Sequence, residues 1–246
     1  MTFSFPPPAL AHAQELAPVL QRQGYAVLAA AQVAELSGVA PHTLLAWCPD
    51  WDQLPPDAYL RDGGRYRRRR HSCFVVTGET VAQVPHRPHW QPVEYNALHG
   101  GLERHFEAMP AELVGQAAWS WLLAWLGAVC SGLKGAQPWF VEAHQFRIDT
   151  TDGIGRPTPE GAHRDGVDMV AVFMVARSGV KGGETRVFEA DGPNGQRFTL
   201  AEPWSLLLLD DARVIHESTP IQPLQEGGHR DTLVVTLRAR GFQAET

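Results

Sequence analysis

Two residues that could bind a metal, His163 and Asp165, stand two positions apart in the segment GAHRDGVDMVAVFMV, which covers residues 161–175. A loop rich in Gly, Pro and Thr precedes them, and an apolar run typical of a buried strand follows. A third candidate, His216, comes shortly after another apolar run, SLLLLDD. Two histidines and one carboxylate on one face form the ligand set of non-haem Fe(II) oxygenases, which leaves positions open for cosubstrate and O₂. Zinc binds such ligands too, but this open set suits iron better as the working metal.

An arginine near the C-terminus could bind an anion beside such a metal. Arg230 stands at the start of the last apolar run, in GGHRDTLVVTLRA. A guanidinium buried at the start of a strand needs an anionic partner, because an unpaired buried charge is strongly destabilising. A carboxylate that accepts two parallel hydrogen bonds is the natural partner. Thr232 lies two residues further on, which puts its hydroxyl on the same side of a strand.

The elements that must position these residues are mostly strands. From Trp139 onward the chain consists of short β-type runs that Gly, Pro, Asn and Asp clusters separate. No repeat and no helix-length pattern lies between them, which is typical of an antiparallel sandwich or jelly roll. We therefore predict a mainly β protein of the α+β class, with a double-stranded β-helix (jelly-roll) core over residues 136–241.

The first part of the chain, residues 1–135, alternates helix and strand patterns. ALAHAQELAPVLQRQ and AAQVAELS predict helices, YAVL and RYRRRRHSCFVV predict strands, and residues 94–131 predict one or two helices interrupted near Pro110. We expect the helices to form a layer packed on one sheet of the core. Because no clean linker separates the two parts, we expect one domain over residues 1–246.

Composition narrows the classes of partner. The chain has 246 residues, 44% of them hydrophobic, and a formal net charge of -6, so bulk charge predicts neither nucleic acid nor an acidic membrane as a partner. Its three cysteines have no C-x-x-C spacing, and no stretch near residue 1 has the pattern of a secretory signal, so we expect a cytoplasmic protein. A symmetric homodimer is plausible only because such dimers are common among soluble oligomers.

The segment AAWSWLLAWLGAV, residues 117–129, is very apolar but shorter than the roughly 20 residues that span a bilayer. Trp121, Leu122, Trp125 and Val129 follow one another at helical spacing. This pattern predicts a buried core helix rather than a membrane span.

The ordered set of His163-x-Asp165, a glycine turn in GGETRVF, His216 and Arg230-x-Thr232 resembles the Fe(II)/2-oxoglutarate dioxygenases. VEAHQFRI, HRDGVDMVAV and DDARVIHESTPI are similar to the bacterial branch that includes BsmA-like proteins and free L-isoleucine hydroxylases. The resemblance covers about residues 139–239, and GYAVL and YLRDGGRYRRRRHS extend it more weakly toward the N-terminus. The His-x-Asp pair alone is a weak signal, whereas the ordered set is specific.

The resemblance implies that His163, Asp165 and His216 bind Fe(II) and that Arg230 and Thr232 hold the distal carboxylate of 2-oxoglutarate. O₂ is the other cosubstrate. Threonine stands where many relatives of the wider superfamily have serine after the arginine, and it retains the hydroxyl.

The strand that contains VEAHQFRI is expected to line the pocket. We assign Gln145 to cosubstrate binding and Arg147 to substrate binding, on the face opposite His144 and Phe146. Alternation along a strand does not reveal which of the two faces sees the pocket.

The run RYRRRR, residues 65–70, has three interpretations. On a strand, Arg65, Arg67 and Arg69 point one way, and Tyr66, Arg68 and Arg70 the other. Arg67 and Arg69 are our candidates for binding an anionic substrate group such as a carboxylate, a solvent or structural role is the second interpretation, and a nucleic-acid patch is the third.

Asp168 completes an HxDGxD pattern and is either a substrate contact or a turn cap. Glu184 and Asp211 are expected to be structural hydrogen-bonding residues.

We expect the chain to be a dioxygenase that hydroxylates a small molecule, and the resemblance implies a free aliphatic L-amino acid. Two alternatives stay open. One is a non-catalytic jelly-roll module for binding or stress response with a vestigial metal site. The other is an oxygenase that acts on a peptide, a protein or a modified base.

Overall fold

The computed structural model describes residues 6–8, 10, 12–96 and 98–244. Its larger sheet has seven strands in the order β1-β9-β5-β12-β4-β2-β3, and every neighbouring pair is antiparallel. These seven strands are β1 (Tyr25–Leu28), β2 (Arg67–Thr77), β3 (Thr80–Gln83), β4 (Trp139–Asp149), β5 (Met169–Ser178), β9 (Leu206–Asp210) and β12 (His229–Arg238).

Two smaller sheets complete the β structure. A three-stranded sheet has the order β10-β7-β8, and a two-stranded sheet pairs β11 with β6. Their strands are β6 (Val180–Gly182), β7 (Thr185–Glu189), β8 (Gly195–Phe198), β10 (Val214–Ser218) and β11 (Ile221–Pro223). The predicted mainly β, jelly-roll type fold is confirmed.

Helices cover one face of the large sheet, as predicted. They are α1 (Leu16–Gln23), α2 (Ala30–Ser37), α3 (Pro41–Ala46), α4 (Ala111–Val114) and α5 (Ala117–Lys134), with short 3₁₀ turns at Ala13–Glu15 and Cys48–Gln53. Alternate residues of β4, β5 and β12, such as Val141, Phe173 and Val235, join the helical side chains in the main apolar core. The opposite residues face the smaller sheets, and Val170 and Met174 pack there with Val187 of β7.

The predicted core helix exists, but its buried side differs from the prediction. The side chains of α5 that are buried belong to Trp119, Leu122, Leu123, Leu126 and Cys130, whereas Trp121 is 55% exposed. Trp119 rather than Trp121 heads the stripe that faces the sheet, because residues at i, i+3, i+4 and i+7 share one side of a helix. None of the described helices, α5 included, is both long and apolar enough to cross a membrane.

The prediction of helices over residues 94–131 is wrong for its first part, because residues 94–109 contain no helix in the described chain. Here the backbone closes into a compact loop, with Gly100 N–H donating to the Asn96 carbonyl at 2.8 Å and Gly101 N–H to the Gln91 carbonyl at 2.8 Å. A Cβ at Gly100 would lie 2.7 Å from the Pro92 carbonyl oxygen, so the loop requires glycine there.

The helical layer also contacts the strand that contains Arg230 and Thr232. Trp51 is fully buried, stacks edge-on against Trp204 at 6.3 Å between ring centroids, and donates its indole N–H to the Thr232 carbonyl at 3.1 Å. The pairing of β12 with β5 shifts register between Asp231 and Thr232, so this bond lies at an irregularity of the ladder.

We expect Trp51→Phe to lower the free energy of unfolding by about 1–3 kcal/mol, because it leaves a buried carbonyl without its indole donor. Urea unfolding followed by circular dichroism measures this change. The matched control is Trp121→Phe on the exposed side of α5, which we expect to change stability by less than about 0.5 kcal/mol. Equal losses in the two variants would contradict the role of the Trp51 bond.

Candidate functional site

Two groups of histidine and carboxylate side chains have ligand atoms close enough to surround one ion, and in each group these atoms lie within 4.8 Å of one another. They are the only such groups in the part of the chain that the structure describes. The first, here called the triad, is His163, Asp165 and His216, and the second, here called the histidine cluster, is His71, His89, Glu142 and His144.

Backbone pairing brings the triad together. The N–H of His163 donates to the His216 carbonyl and the N–H of His216 donates to the His163 carbonyl, both at 3.0 Å, in an isolated antiparallel bridge. The two imidazole rings consequently lie side by side with centroids 4.6 Å apart. Asp165 presents Oδ1 at 3.7 Å from His163 Nε2 and Oδ2 at 3.7 Å from His216 Nε2. Three donor atoms therefore converge, although His216 is far from the other two in sequence.

A hydrogen bond orients the His163 ring, and burial keeps the His216 ring neutral. His163 donates its Nδ1–H to the Gly161 carbonyl at 3.0 Å, which leaves the Nε2 lone pair facing Asp165. Burial lowers the pKa of His163, but the charges of Asp165 and Glu160 outweigh burial and raise it. Burial, and then the neighbouring His163, lowers the pKa of His216 to about 4, so this ring is neutral near pH 7. A neutral imidazole is the form that coordinates a metal.

Asp211 shapes the loop that contains the His-x-Asp pair. Its carboxylate accepts backbone N–H bonds from Asp165 at 3.0 Å, Gly166 at 2.7 Å and Val167 at 3.1 Å. Burial, followed by the charge of Asp165, raises the pKa of Asp211 to about 6, and the three backbone bonds oppose that rise. The structural role expected for Asp211 therefore acts directly on the candidate site.

The triad opens into a cavity of about 860 Å³, mouth included, between the large sheet and the loops. Arg230 and Thr232 of β12 line the same cavity. Arg230 is 4% exposed, its Nε has no hydrogen-bond partner, and no carboxylate of the described residues lies within 4.0 Å of it. Burial, and then the nearby Arg177, lowers the pKa of Arg230 to about 10. A buried guanidinium in this state fits a ligand carboxylate.

The structure places Gln145 and Arg147 on the face of β4 that points away from the cavity, so their assignment to cosubstrate and substrate is corrected. His144, Phe146 and Ile148 line the cavity instead. Arg147 is held by Asp231 at 2.7 Å and by Asp52 at 2.8 Å. The face could not be chosen from alternation alone, because it depends on which face of the sheet the helices cover.

Asp168 is also absent from the residues that line the cavity. Its carboxylate accepts the Ala239 backbone N–H at 2.7 Å, and its own N–H donates to the Leu237 carbonyl at 2.9 Å. Asp168 therefore joins the start of β5 to the end of β12, which corresponds to the capping interpretation and not to substrate contact.

The arginine run divides between the two faces of β2. Arg67 and Arg69 are buried and line the cavity, as expected for an anion site. Arg68 and Arg70 point to the other face, toward Asp149 and Glu107 respectively. Arg65 departs from the expected alternation because it precedes the strand, where it pairs with the exposed carboxylate of Asp152 at 2.9 Å.

Several residues that line the cavity were not predicted from the sequence, because they lie in irregular segments. Gln91, Asn96 and Arg104 come from the loop that was expected to be partly helical, and Glu160 precedes the His-x-Asp pair. The signal was present, since VPHRPHWQPVEYNALHGG combines turn residues with no helical or strand period.

Hydrogen bonds already occupy part of the histidine cluster. Arg69 can only donate, so its 2.8 Å contact makes His144 Nδ1 an acceptor, and the proton of the neutral ring then resides on Nε2. That Nε2 lies 3.6 Å from Glu142, and His89 Nδ1 lies 2.6 Å from the same carboxylate. Burial lowers the pKa of each of the three rings well below its ordinary value, so all three are neutral.

Comparisons with known proteins agree with this arrangement. Residues 48–236 match a family model described as 2OG-Fe dioxygenase. A crystal structure of a BsmA homologue from Methylobium petroleophilum PM1 is 50% identical, covers 100% of both chains and has a TM-score of 0.92. No curated protein matches the sequence.

Two more distant crystal structures show a similar fold. IDO from Bacillus thuringiensis is 17% identical with a TM-score of 0.74, and covers 98% of this chain and 99% of its own. The Fe(II)/α-ketoglutarate-dependent dioxygenase TqaL is 19% identical with a TM-score of 0.70, and covers 92% of this chain and 86% of its own.

We expect Asp211→Ala to weaken divalent-metal binding by about tenfold to a hundredfold, because groups that orient a ligand loop have effects of that size. Anaerobic titration with Fe(II) measures the affinity. Asp149→Ala is the matched control, since Asp149 also accepts a backbone N–H, from Thr151 at 2.9 Å, away from the triad. Unchanged affinity in Asp211→Ala would show that the loop does not need this carboxylate.

Proposed function

The chain belongs to the 2OG-Fe dioxygenase family, and we propose that it hydroxylates a free aliphatic L-amino acid at the cavity that contains the triad. The protein is a 2-oxoglutarate-dependent dioxygenase, and Fe(II), 2-oxoglutarate and O₂ are its cofactor and cosubstrates. The substrate and the roles of individual residues are the proposed part. The observation that carries them is the convergence of His163, Asp165 and His216 in one cavity with a buried, unpaired Arg230.

In this proposal His163, Asp165 and His216 hold Fe(II). Two neutral nitrogens and one carboxylate oxygen form the donor set that suits this ion and leave coordination positions on the cavity side. Bound iron with 2-oxoglutarate and O₂ supplies the oxidising power to insert oxygen into an unactivated C–H bond, and the cosubstrate leaves as succinate and CO₂. The histidine cluster is a poorer candidate, because His89 already donates to Glu142 and His144 Nδ1 already accepts from Arg69.

Arg230 and Thr232 would bind the distal carboxylate of 2-oxoglutarate. The fit rests on the orphaned Nε of Arg230 and on the lack of any acidic partner within 4.0 Å among the described residues. A tight glycine turn lies beside the Arg230 side chain. Gly183 has φ +65°, and a Cβ there would lie 2.8 Å from Arg177 Nη1, 2.9 Å from Ile221 Cγ2 and 3.6 Å from Arg230 Cδ. A larger residue would therefore be strained by its backbone and would crowd Arg177 and Ile221, while only touching Arg230.

The cavity supports a small, amphiphilic substrate. Phe146, Val172 and Val234 offer apolar surface for an aliphatic side chain, and Glu160 offers a carboxylate to an ammonium group. A peptide or protein substrate would need an extended open groove instead, and a non-catalytic module would not need an intact donor set.

We expect Asp165→Ala to abolish succinate formation from 2-oxoglutarate, because it removes the only anionic ligand of the triad. The assay is succinate production by iron-loaded protein with a panel of free L-amino acids, together with mass spectrometry for one added oxygen. His163→Ala should give the same loss. The control is Glu142→Gln in the histidine cluster, which should still produce succinate, and full turnover by Asp165→Ala would sink the assignment of the triad.

Arg230→Met should raise the KM for 2-oxoglutarate by at least about thirtyfold, since truncating one partner of a buried charge pair has effects of at least this size. The measurement is succinate formed at varied 2-oxoglutarate concentration. Arg177→Met is the matched control, because Arg177 lies beside Arg230 but donates to the Gly182 carbonyl at 2.7 Å and does not line the cavity. An unchanged KM in Arg230→Met would assign the distal carboxylate to another residue.

A further inference from the structure

Three buried arginines line the cavity in addition to Arg230. Arg67 and Arg69 come from β2, and Arg104 comes from the loop that precedes α4; their side chains are buried at 6%, 3% and 1% exposure. They are close enough that Arg67 and Arg104 each lower the pKa of Arg69, after the larger effect of burial. Buried like charges that lie together repel one another, so this arrangement requires anionic partners.

The protein itself supplies too few carboxylates. Asp57 is 2.7 Å from Arg67 Nε and 4.0 Å from Arg69 Nη1. No carboxylate of the described residues lies within 4.0 Å of Arg104, and Asp57, Glu142 and Glu160 act on it only at longer range. Among the described residues, the three guanidiniums therefore have a single carboxylate within 4.0 Å, that of Asp57.

Hydrogen-bond donors are also left over. Arg67 Nη2, Arg69 Nε and Arg104 Nε are buried and have no partner. Burial, followed by the charge of Arg67, lowers the pKa of Arg104 to about 10. Unpaired donors on guanidiniums that have few carboxylates in contact are the features of a site that binds an anion.

We propose that Arg69 and Arg104 bind the α-carboxylate of the amino-acid substrate, while Arg67 is neutralised by Asp57. This inference rests on the proposed function and names the groups that would recognise the substrate class. A ligand carboxylate would accept hydrogen bonds from the unpaired Nε–H groups of Arg69 and Arg104, so the site favours carboxylates over neutral molecules.

Arg69 is held rigidly enough to act as a receptor. Its guanidinium carbon lies 3.8 Å from the centroid of the Phe106 ring and 4.3 Å from that of Phe146, so two aromatic faces contact it. Its Nη2 donates to His144 Nδ1. Because that histidine is neutral, it orients Arg69 without cancelling its charge, and a guanidinium fixed in this way loses little side-chain entropy when an anion binds.

Arg104 is connected to the triad through one side chain. Arg104 Nη2 donates to Gln91 Oε1 at 2.9 Å, and Gln91 Nε2 donates to Asp165 Oδ1 at 3.2 Å. Asn96 donates to the same Gln91 oxygen at 3.1 Å, which fixes the amide orientation. The proposed carboxylate site and the proposed iron ligand are therefore only one glutamine apart.

The test compares each of the twenty free L-amino acids with its primary amide, which lacks the negative charge. Binding to iron-loaded protein saturated with 2-oxoglutarate is measured without oxygen, by calorimetric titration. We expect at least one amino acid to bind and its amide to bind at least about thirtyfold more weakly. Binding of an amino acid and its amide with equal affinity, or of none of the twenty amino acids, would overturn the proposal.

Variants assign the effect to the residues. Arg104→Gln should lose the preference for the acid over the amide, and Arg104→Lys should recover part of it. Arg68→Gln, on the face of β2 opposite Arg69, is the control and should keep the full preference. An unchanged acid-to-amide ratio in Arg104→Gln would contradict the assignment even if overall affinity fell.

Succinate formation in the absence of any amino acid distinguishes failure of the proposed carboxylate site from failure of the proposed function. If the wild-type protein turns over 2-oxoglutarate slowly on its own but no amino acid binds, the carboxylate site is wrong and the oxygenase stands. If the protein with verified bound iron forms no succinate under any condition, the proposed function itself fails.

Discussion

The pair of backbone hydrogen bonds between His163 and His216 is the contact on which the site depends. It joins the loop before β5 of the large sheet to β10 of the three-stranded sheet, and it sets two imidazoles side by side. Neither segment could place both rings alone, because His163 lies in a loop and His216 lies in β10. The Asp211 carboxylate accepts three backbone N–H bonds from the same loop, at residues 165–167. Asp165 is therefore held between these bonds and the backbone bridge at His163. The chemistry of the side chains thus follows from the pairing of the backbone.

The sequence was most informative where chemistry and chain order coincide. His163-x-Asp165 precedes β5, Arg230-x-Thr232 lies near the start of β12, and His216 lies in β10, which follows the apolar strand β9. The structure brings all five residues to one cavity. The predicted roles of Gln145 and Arg147 were wrong because strand alternation does not contain the information that they needed. Alternation predicts that the two residues share a face of β4. Which face lines the cavity is decided by packing against the helices, which is a long-range property.

The loop between β3 and α4 shows a different limit. Gln91, Asn96 and Arg104 have no periodic pattern, and their positions come from hydrogen bonds that close the loop on itself. Their roles in the cavity could be assigned only after the fold was known. The ion pairing of Arg104 could not be predicted from the sequence either, because it depends on which carboxylates the fold brings near this side chain.

The closed loop around Gly100 has a consequence for how such enzymes diverge. The proposed metal and cosubstrate residues lie on β-strands or close to them, whereas this loop contributes Gln91, Asn96 and Arg104, which are joined by hydrogen bonds. Replacing any one of them alone would leave buried polar partners unsatisfied, so natural or engineered changes of substrate preference should exchange the whole segment at once. The β core would then stay the same, while exchange of this loop would give related enzymes a different substrate preference.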